Sequence, residues 1–323
     1  MNYLQKIFIF LALFSVLIGF SHSENPSSTQ VSLLNSSEQP MRNTRNSQNA
    51  ENAEQKSVPP ADPAWLELQK KIDKTVRRFP GNSGVYIQDL KHGWVIEHNA
   101  DRAFPSASLI KVPMMVTLFD EQSQGRLSME ETLSLERRFK SSGPGKLKFK
   151  RRGSTYTIRD LIHRMVTESD NTAANILADH LGIEYYEQAF HKMGLLHTNF
   201  ARMIMDLKKR DAGIENWTTP RDMATLLKLM YEKRLPGSTE MIDVLKDQKI
   251  RDRLAFSTPS GWTIGNKTGL MRGTCHDIGI VFAPSSDYLI CVLTSDLYNL
   301  HRSKRFIREI ARLTAQHYQG VPQ

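Results

Sequence analysis

The 323-residue chain holds only two cysteines, Cys275 and Cys291. A disulfide framework of the kind that staples small secreted domains is therefore excluded. Neither H-E-x-x-H nor a paired-cysteine spacing occurs, and the 10 histidines are scattered, so the sequence carries no metal signature. No nucleic-acid-binding motif appears either. Only one long apolar run exists, Ile7 to Phe20. At ~14 residues it falls short of the ~20 that span a bilayer as a helix.

That run has the form of an export signal. Lys6 supplies the positive start, and Ser21-His22-Ser23 is a small-x-small cleavage signal. We therefore expect residues 1–23 to be a cleaved signal peptide and the protein to be periplasmic or secreted, with no stable membrane span after cleavage; an uncleaved membrane anchor is the alternative reading. No cysteine follows the apolar run, so no lipid-anchor signal is present. Residues 24–60 are rich in Ser, Asn, Gln and Glu with few aromatics. Such a stretch cannot bury enough apolar surface to offset its ordering entropy and is expected to be a disordered linker. Residues 61–323 remain, enough for one globular domain.

The formal net charge is +9. Basic residues cluster between Arg137 and Arg152, including Lys140, Lys146, Lys148, Lys150 and Arg151. Such a run is read either as a solvated loop or as an attraction to an anionic cell-envelope polymer or membrane surface. An exported chain argues against nucleic acid as the partner.

Apolar spacing places helices and strands. Trp65, Leu68, Ile72, Val76 and Phe79 share a helix face that Pro80-Gly81 ends. Val85–Asp89 and Trp94–His98 read as strands around Lys91-His92-Gly93. A helix is expected to begin near Ser106–Ser108. Further helices follow: one capped by Thr157 and Asp160, one from about Thr172 to Leu181, and one opened by Thr219-Pro220. Thr263–Leu270, His276–Ala283 and Tyr288–Thr294 read as strands, and a last helix carries Phe306, Ile307, Ile310 and Leu313. The expected fold is α/β, of the α+β kind. An antiparallel five-stranded sheet from residues 61–105 and 258–323 is covered by helices, beside an all-helical subdomain from 106–257, with the site in the cleft between. In this register a turn at Pro284–Asp287 sets Cys291 near Ile280, ~16 Å along the strand from Cys275. Two structural thiols are expected.

Three short motifs carry chemistry: Ser108-Leu109-Ile110-Lys111, Ser169-Asp170-Asn171 and Lys267-Thr268-Gly269. A serine hydroxyl is a weak nucleophile that needs a base or a neighbouring cation. Ser108 and Lys111, at i and i+3, share a helix face. The helix N-terminus favours a developing oxyanion at the serine. Burial and a second cation, Lys267, both disfavour a charged Lys111, which could then accept the Ser108 proton. Ser169 could relay a proton to a leaving amine, and Asn171 could bind an amide carbonyl. Lys267 and Thr268 could bind a carboxylate, and Gly269 permits close backbone approach. Alone, each motif has a plain reading: a helix with Ser and Lys, an N-cap, or a solvated strand end. In order, and on the right kinds of element, they are far more specific.

Together they resemble the class A β-lactamases and penicillin-binding proteins. Val166–Asn175, Thr218-Thr219-Pro220 and Met223-Ala224 extend the likeness over roughly residues 60–320. The resemblance implies the β-lactamase/transpeptidase-like fold, an acyl-serine mechanism without metal or cofactor, and an oxyanion hole from the backbone N–H groups of Ser108 and Leu270. It also implies a carboxylate-binding role for Arg272. The resemblance breaks at the Ω-loop, where class A enzymes carry a glutamate that holds the deacylating water. Counting forward from Arg202 puts Ile204 there, and counting back from Pro220 puts Met203. Both are apolar, and Asp206 and Glu215 are the nearest acids. The expectation leans to a penicillin-binding DD-peptidase acting on D-Ala-D-Ala peptides of peptidoglycan. A β-lactamase with a substitute base and a non-catalytic β-lactam sensor or wall-binding module are the alternatives. We expect a monomer.

Overall fold

The computed structural model describes residues 58–320. The expected signal peptide, and all of the expected linker but its last three residues, lie outside the described residues. The chain begins with helix α1 (Pro63–Arg77), strands β1 (Asn82–Asp89), β2 (Val95–His98) and β3 (Phe104–Pro105), and a 3-10 turn over Ala107–Ile110. Helix α2 (Lys111–Ser123), strands β4 (Thr132–Ser134) and β5 (Thr155–Thr157), and helices α3 (Ile158–Thr167), α4 (Asn171–Leu181), α5 (Ile183–Lys192) and α6 (Leu207–Asp211) follow. Then come β6 (Trp217–Thr218), α7 (Pro220–Tyr231), α8 (Ser238–Lys246), β7 (Thr263–Met271), β8 (Thr274–Phe282), β9 (Tyr288–Ser295) and α9 (Leu300–Gln319).

The main sheet has five antiparallel strands in the order β2-β1-β9-β8-β7. Strands from both ends of the described chain meet at its centre, where Val85 opposes Val292. Both faces are covered. On β9, Leu289, Cys291 and Leu293 join the core shared with the helices of the middle segment, and Ile290 and Val292 join the core under α1 and α9. This is why β9 reads as an unbroken apolar run: the period-2 alternation is still there, but neither face meets water. Each side chain fully buried in this way contributes about 1.5–3 kcal/mol.

The caps explain the boundaries. Asp62 and Asn299 accept from the first-turn amides of α1 and α9. The Thr157 hydroxyl accepts from Asp160 N, and the Thr219 hydroxyl from Asp222 N with Pro220 as the first helical residue. Asp170 caps α4 with one carboxylate oxygen on both Thr172 N and Ala173 N.

Three expectations need correction. No α-helix begins at Ser106–Ser108. Ser108 sits in the 3-10 turn, and α2 starts at Lys111. The correspondence of i and i+3 survives, because three residues per turn eclipse those positions. Second, Lys267-Thr268-Gly269 occupies the middle of β7, not its end; β7 itself is an edge strand. Third, the β8–β9 connection is longer than a four-residue turn, since Val281 opposes Tyr288. Cys291 therefore faces Ile278, two residues from the expected partner. Both thiols are free and buried, and they lie on opposite faces of the sheet.

Candidate active site

The 3-10 turn with Ser108 lies at the base of a cleft of about 710 Å³. The turn is fastened on both sides. Upstream, β3 pairs with β6, and Ser106 N donates to Asn216 O at 2.7 Å. Behind it, the buried ring of His276 on β8 reaches Pro105 O at 2.8 Å through Nε2, while Thr294 N donates to its Nδ1 at 3.1 Å. An imidazole that accepts at Nδ1 carries its proton on Nε2, so it is neutral and donates to the Pro105 carbonyl. Burial pushes its pKa down to about 4, against the Pro105 bond that favours the proton, so neutrality holds at ordinary pH. Between these anchors Ala107 is forced to φ 47°, a left-handed conformation that costs a non-glycine residue about 1–2 kcal/mol.

Lys111 is wholly buried. Its Nζ donates to Ser169 O at 2.7 Å, to Asn171 Oδ1 at 2.7 Å and to Ser169 Oγ at 3.3 Å. Burial first, and then the Lys267 charge, hold its pKa well below the usual lysine range. Lys267, equally buried, donates to Ser169 Oγ at 3.1 Å and to Thr268 O at 2.9 Å. Burial pushes its pKa down to about 7, opposed by Asp277 and reinforced by Arg253. Ser169 is therefore gripped by two ammonium groups, and its own hydroxyl proton is left to point elsewhere. Its backbone sits at φ 55°.

Asp170 fixes this arrangement without facing the cleft. One carboxylate oxygen caps α4 and the other accepts from Leu147 N at 2.9 Å. Asn171 Nδ2 donates to Ser142 O at 2.7 Å, so one of its two amide hydrogens stays available. The loop passing over them needs glycine. A Cβ at Gly143 would lie 2.7 Å from Asn171 Nδ2, and one at Gly145 would lie 2.1 Å from Asp170 Cγ. Gly269 has a similar reason: its Cβ would stand 3.1 Å from the His276 ring and 3.3 Å from Leu109 Cγ. The absent side chain lets β7 pack against the turn bearing Ser108.

Of the residues the sequence singles out, Ser108, Asn171, Leu270 and Arg272 line the cleft. Lys111, Ser169, Lys267, Thr268 and Gly269 are buried and are not among the lining residues. Arg272 stands at the two-residue tip between β7 and β8, its guanidinium 5.5 Å from the Tyr298 ring centre. Sequence reasoning missed His276 and Asn175. The one available signal for His276 was a polar ring inside the apolar strand run of β8.

Asn175 holds this loop at Ile204. Its Oδ1 accepts from Ile204 N at 3.0 Å and its Nδ2 donates to Ile204 O at 3.2 Å. Both Met203 and Ile204 pack against the core, and of the two Ile204 lines the cleft. Of the acids in this loop, Asp206 and Glu215 are engaged elsewhere, and Asp211, exposed at the end of α6, lines the cleft. Asp206 caps α6 through Lys209 N. Glu215 is buried against Arg202, with Nε at 3.0 Å and Nη2 at 2.5 Å, and also accepts from Asn216 N.

A model described as the beta-lactamase enzyme family matches residues 67–318. The chain belongs to that family. A β-lactamase of Bacteroides uniformis is 24% identical over 273 residues, covering 79% of this chain and 91% of that protein. A β-lactamase of Streptomyces lavendulae is 28% identical over 220 residues, covering 65% and 72%. Among solved structures, PBP-A is 29% identical with a TM-score of 0.75, covering 82% of this chain and all of that one. A leucine-to-glutamate variant of PBP-A, similar to the same extent, is an acyl-enzyme complex with penicillin G. The chain is thus a class A β-lactamase-like serine hydrolase with the α+β fold of that family.

Proposed function

We propose that this β-lactamase family member acylates Ser108 with β-lactams or D-Ala-D-Ala peptides and works as a penicillin-binding DD-peptidase, not as an efficient β-lactamase. Ser108 is the nucleophile. Lys111, once one of its three donor bonds is released, offers a lone pair to the Ser108 proton. Burial and the Lys267 charge favour that neutral form. Ser169, held by Lys111 and Lys267, directs its hydroxyl proton toward the leaving nitrogen. The backbone N–H groups of Ser108 and Leu270 receive the oxyanion. Asn171 donates to the substrate amide carbonyl. Lys267, Thr268 and the rim residue Arg272 bind the substrate carboxylate.

The observation that carries the peptidase reading is the Ω-loop position facing the cleft. It is Ile204, pinned through its backbone by Asn175, and Asp206 and Glu215 are committed to a helix cap and an ion pair. The position that faces the cleft beside Ser108 thus carries no carboxylate; Asp211, exposed at the end of α6, lines the cleft without standing at that position. A missing general base slows attack of water on an acyl-enzyme by ~10²–10⁴. The expected setting is an exported protein, with residues 24–60 as a linker to the domain.

The test is an intact-mass time course of the protein with benzylpenicillin while ring opening is followed in solution. A persistent adduct that is absent in Ser108→Ala, with little turnover, is the expected result. Rapid ring opening without a lasting adduct would establish a β-lactamase with another base. Neither adduct nor turnover would leave the non-catalytic module as the reading.

A further inference from the structure

Between β4 and β5 the chain leaves the hairpin and returns only at Ser154, where Leu135 N donates to Ser154 O at 2.8 Å and Gly153 N to Leu135 O at 2.9 Å. The excursion contains Arg137, Arg138, Lys140, Lys146, Lys148, Lys150, Arg151 and Arg152 against a single acid, Glu136. Only Arg138 finds carboxylates, those of Glu136 and Asp179. The other seven cations make no ion pair among the described residues. Lys140 and Lys148 instead turn back onto carbonyls of the same loop, Lys150 O and Gly143 O. Like charges crowded on one short segment repel one another. The fold holds them together by burying Phe139 and Leu147 and by tying the loop to Asp170 and Asn171.

One residue breaks the pattern. Phe149 is 79% exposed, the most exposed large apolar side chain among the described residues, and it stands between Lys148 and Lys150. The Lys148 ammonium lies 5.0 Å from its ring centre. A solvated charged loop gains nothing from a protruding phenyl ring. A surface that meets lipid headgroups does, because cations contact phosphates while an aromatic ring enters the interfacial layer.

We infer that this loop is a docking surface for an anionic phospholipid bilayer, with Phe149 as the inserting residue and Lys146, Lys148, Lys150, Arg151 and Arg152 as the phosphate contacts. Gly143 and Pro144 of the same excursion line the cleft that holds Ser108. Docking therefore brings the mouth of the cleft to the bilayer surface. The same loop is bonded to Asp170 and Asn171, so the docked surface and the site are one rigid unit. The inference stands on charge and exposure, independently of which acyl donor Ser108 takes.

Each lysine or arginine at an anionic bilayer changes the partition coefficient by roughly fivefold. Replacing Lys146, Lys148, Lys150, Arg151 and Arg152 by serine should then weaken binding by at least about a hundredfold. The experiment is vesicle co-sedimentation of the chain from Glu24 onward, which keeps the whole compact unit Lys56–Gln323 and lacks the apolar N-terminus. Vesicles of phosphatidylcholine with phosphatidylglycerol are compared with pure phosphatidylcholine, and a soluble poly(glycerol phosphate) serves as competitor. Expected are binding to the anionic vesicles alone, its loss at 1 M salt where the screening length is ~3 Å, and a several-fold weakening by Phe149→Ser at unchanged charge. Equal binding to both vesicle types would overturn the inference. So would full competition by the soluble polymer with no effect of Phe149→Ser, which would make the partner an anionic polymer. All substituted side chains are exposed or half-buried, so unchanged thermal unfolding of the variants keeps either result attributable to the surface.

Discussion

Replacing Ile204 by glutamate should turn a slow acyl-enzyme into a fast one. The backbone at this position is clamped from both sides by the Asn175 amide, so the new side chain leaves from a fixed Cα into the cleft. The cleft at that point is also lined by Ser108 and Asn171, which leaves a water between carboxylate and ester as the natural occupant. A positioned general base contributes ~10²–10⁴ to such a step. An adduct that persists for hours in the unaltered protein should then decay within seconds to minutes in Ile204→Glu. Ile204→Gln is the control, close in size and hydrogen-bonding reach but unable to take a proton. The Ile204 site is half-buried, and burial raises a carboxyl pKa. The release rate of Ile204→Glu should therefore climb with pH through a value above the usual glutamate range and then level off. The assay is intact-mass decay of a preformed benzylpenicillin adduct after excess drug is removed. Release from Ile204→Glu no faster than from the unaltered protein would refute the placement of Ile204 opposite the ester. Comparable speed in both, faster than Ile204, would mean that loop loosening rather than base catalysis admits water.

Three further outcomes follow from the charged groups and the ring behind the site. Lys267 has its pKa lowered to about 7 by burial, so in the free protein its charge is present below that pH and lost above it. The second-order acylation rate should fall as pH rises through about 7. Lys267→Ala removes a cation that depresses Lys111 and should move the acid limb upward; a profile flat to pH 9 would exclude Lys267 as the carboxylate anchor. Glu215→Gln leaves the buried Arg202 guanidinium without its counter-charge. It should cost about 3–5 kcal/mol in chemical denaturation, and a loss below about 1 kcal/mol would refute the buried-pair account. His276→Leu strands the Pro105 carbonyl and the Thr294 amide, about 1–3 kcal/mol each. Because those groups position the turn of Ser108, acylation should slow more than substrate binding weakens, and an unchanged acylation rate in a folded variant would argue against positioning.

The motifs were legible because their chemistry depends on residue type and short spacing. Helices α1, α3, α7 and α9 were legible because each joins an apolar stripe to side-chain or proline capping. Helices α5, α6 and α8 were not singled out, for physical reasons. Neither α5 nor α8 has a side-chain cap; they start after Gly182 and Gly237, at φ 89° and 71°. Helix α6 spans five residues and buries none of them. The 3-10 turn at Ser108 is not distinguishable from an α-helix in the sequence, because the apolar spacing through Leu109 and Val112 suits either period. What the sequence could not convey was partnership across long separations. Nothing local tells Asn175 that it will hold Ile204, or His276 that it will hold Pro105. Those bonds exist only once the sheet and the loops have closed around them.

The central pairing of β1 with β9 bears on how this chain is made. Val85 must wait for Val292, a separation on the order of 200 residues, and topologies with such distant pairings fold slowly. A ribosome delivers ~5–20 residues per second, so many seconds pass between the two strands. During that interval β1 has β2 as a neighbour but lacks β9, and an isolated two-stranded hairpin is marginal in water. The sheet that fastens the Ser108 turn cannot close until β9 has been made. A chain of this topology keeps its main sheet open until β9 emerges, so the turn bearing Ser108 acquires its support only then.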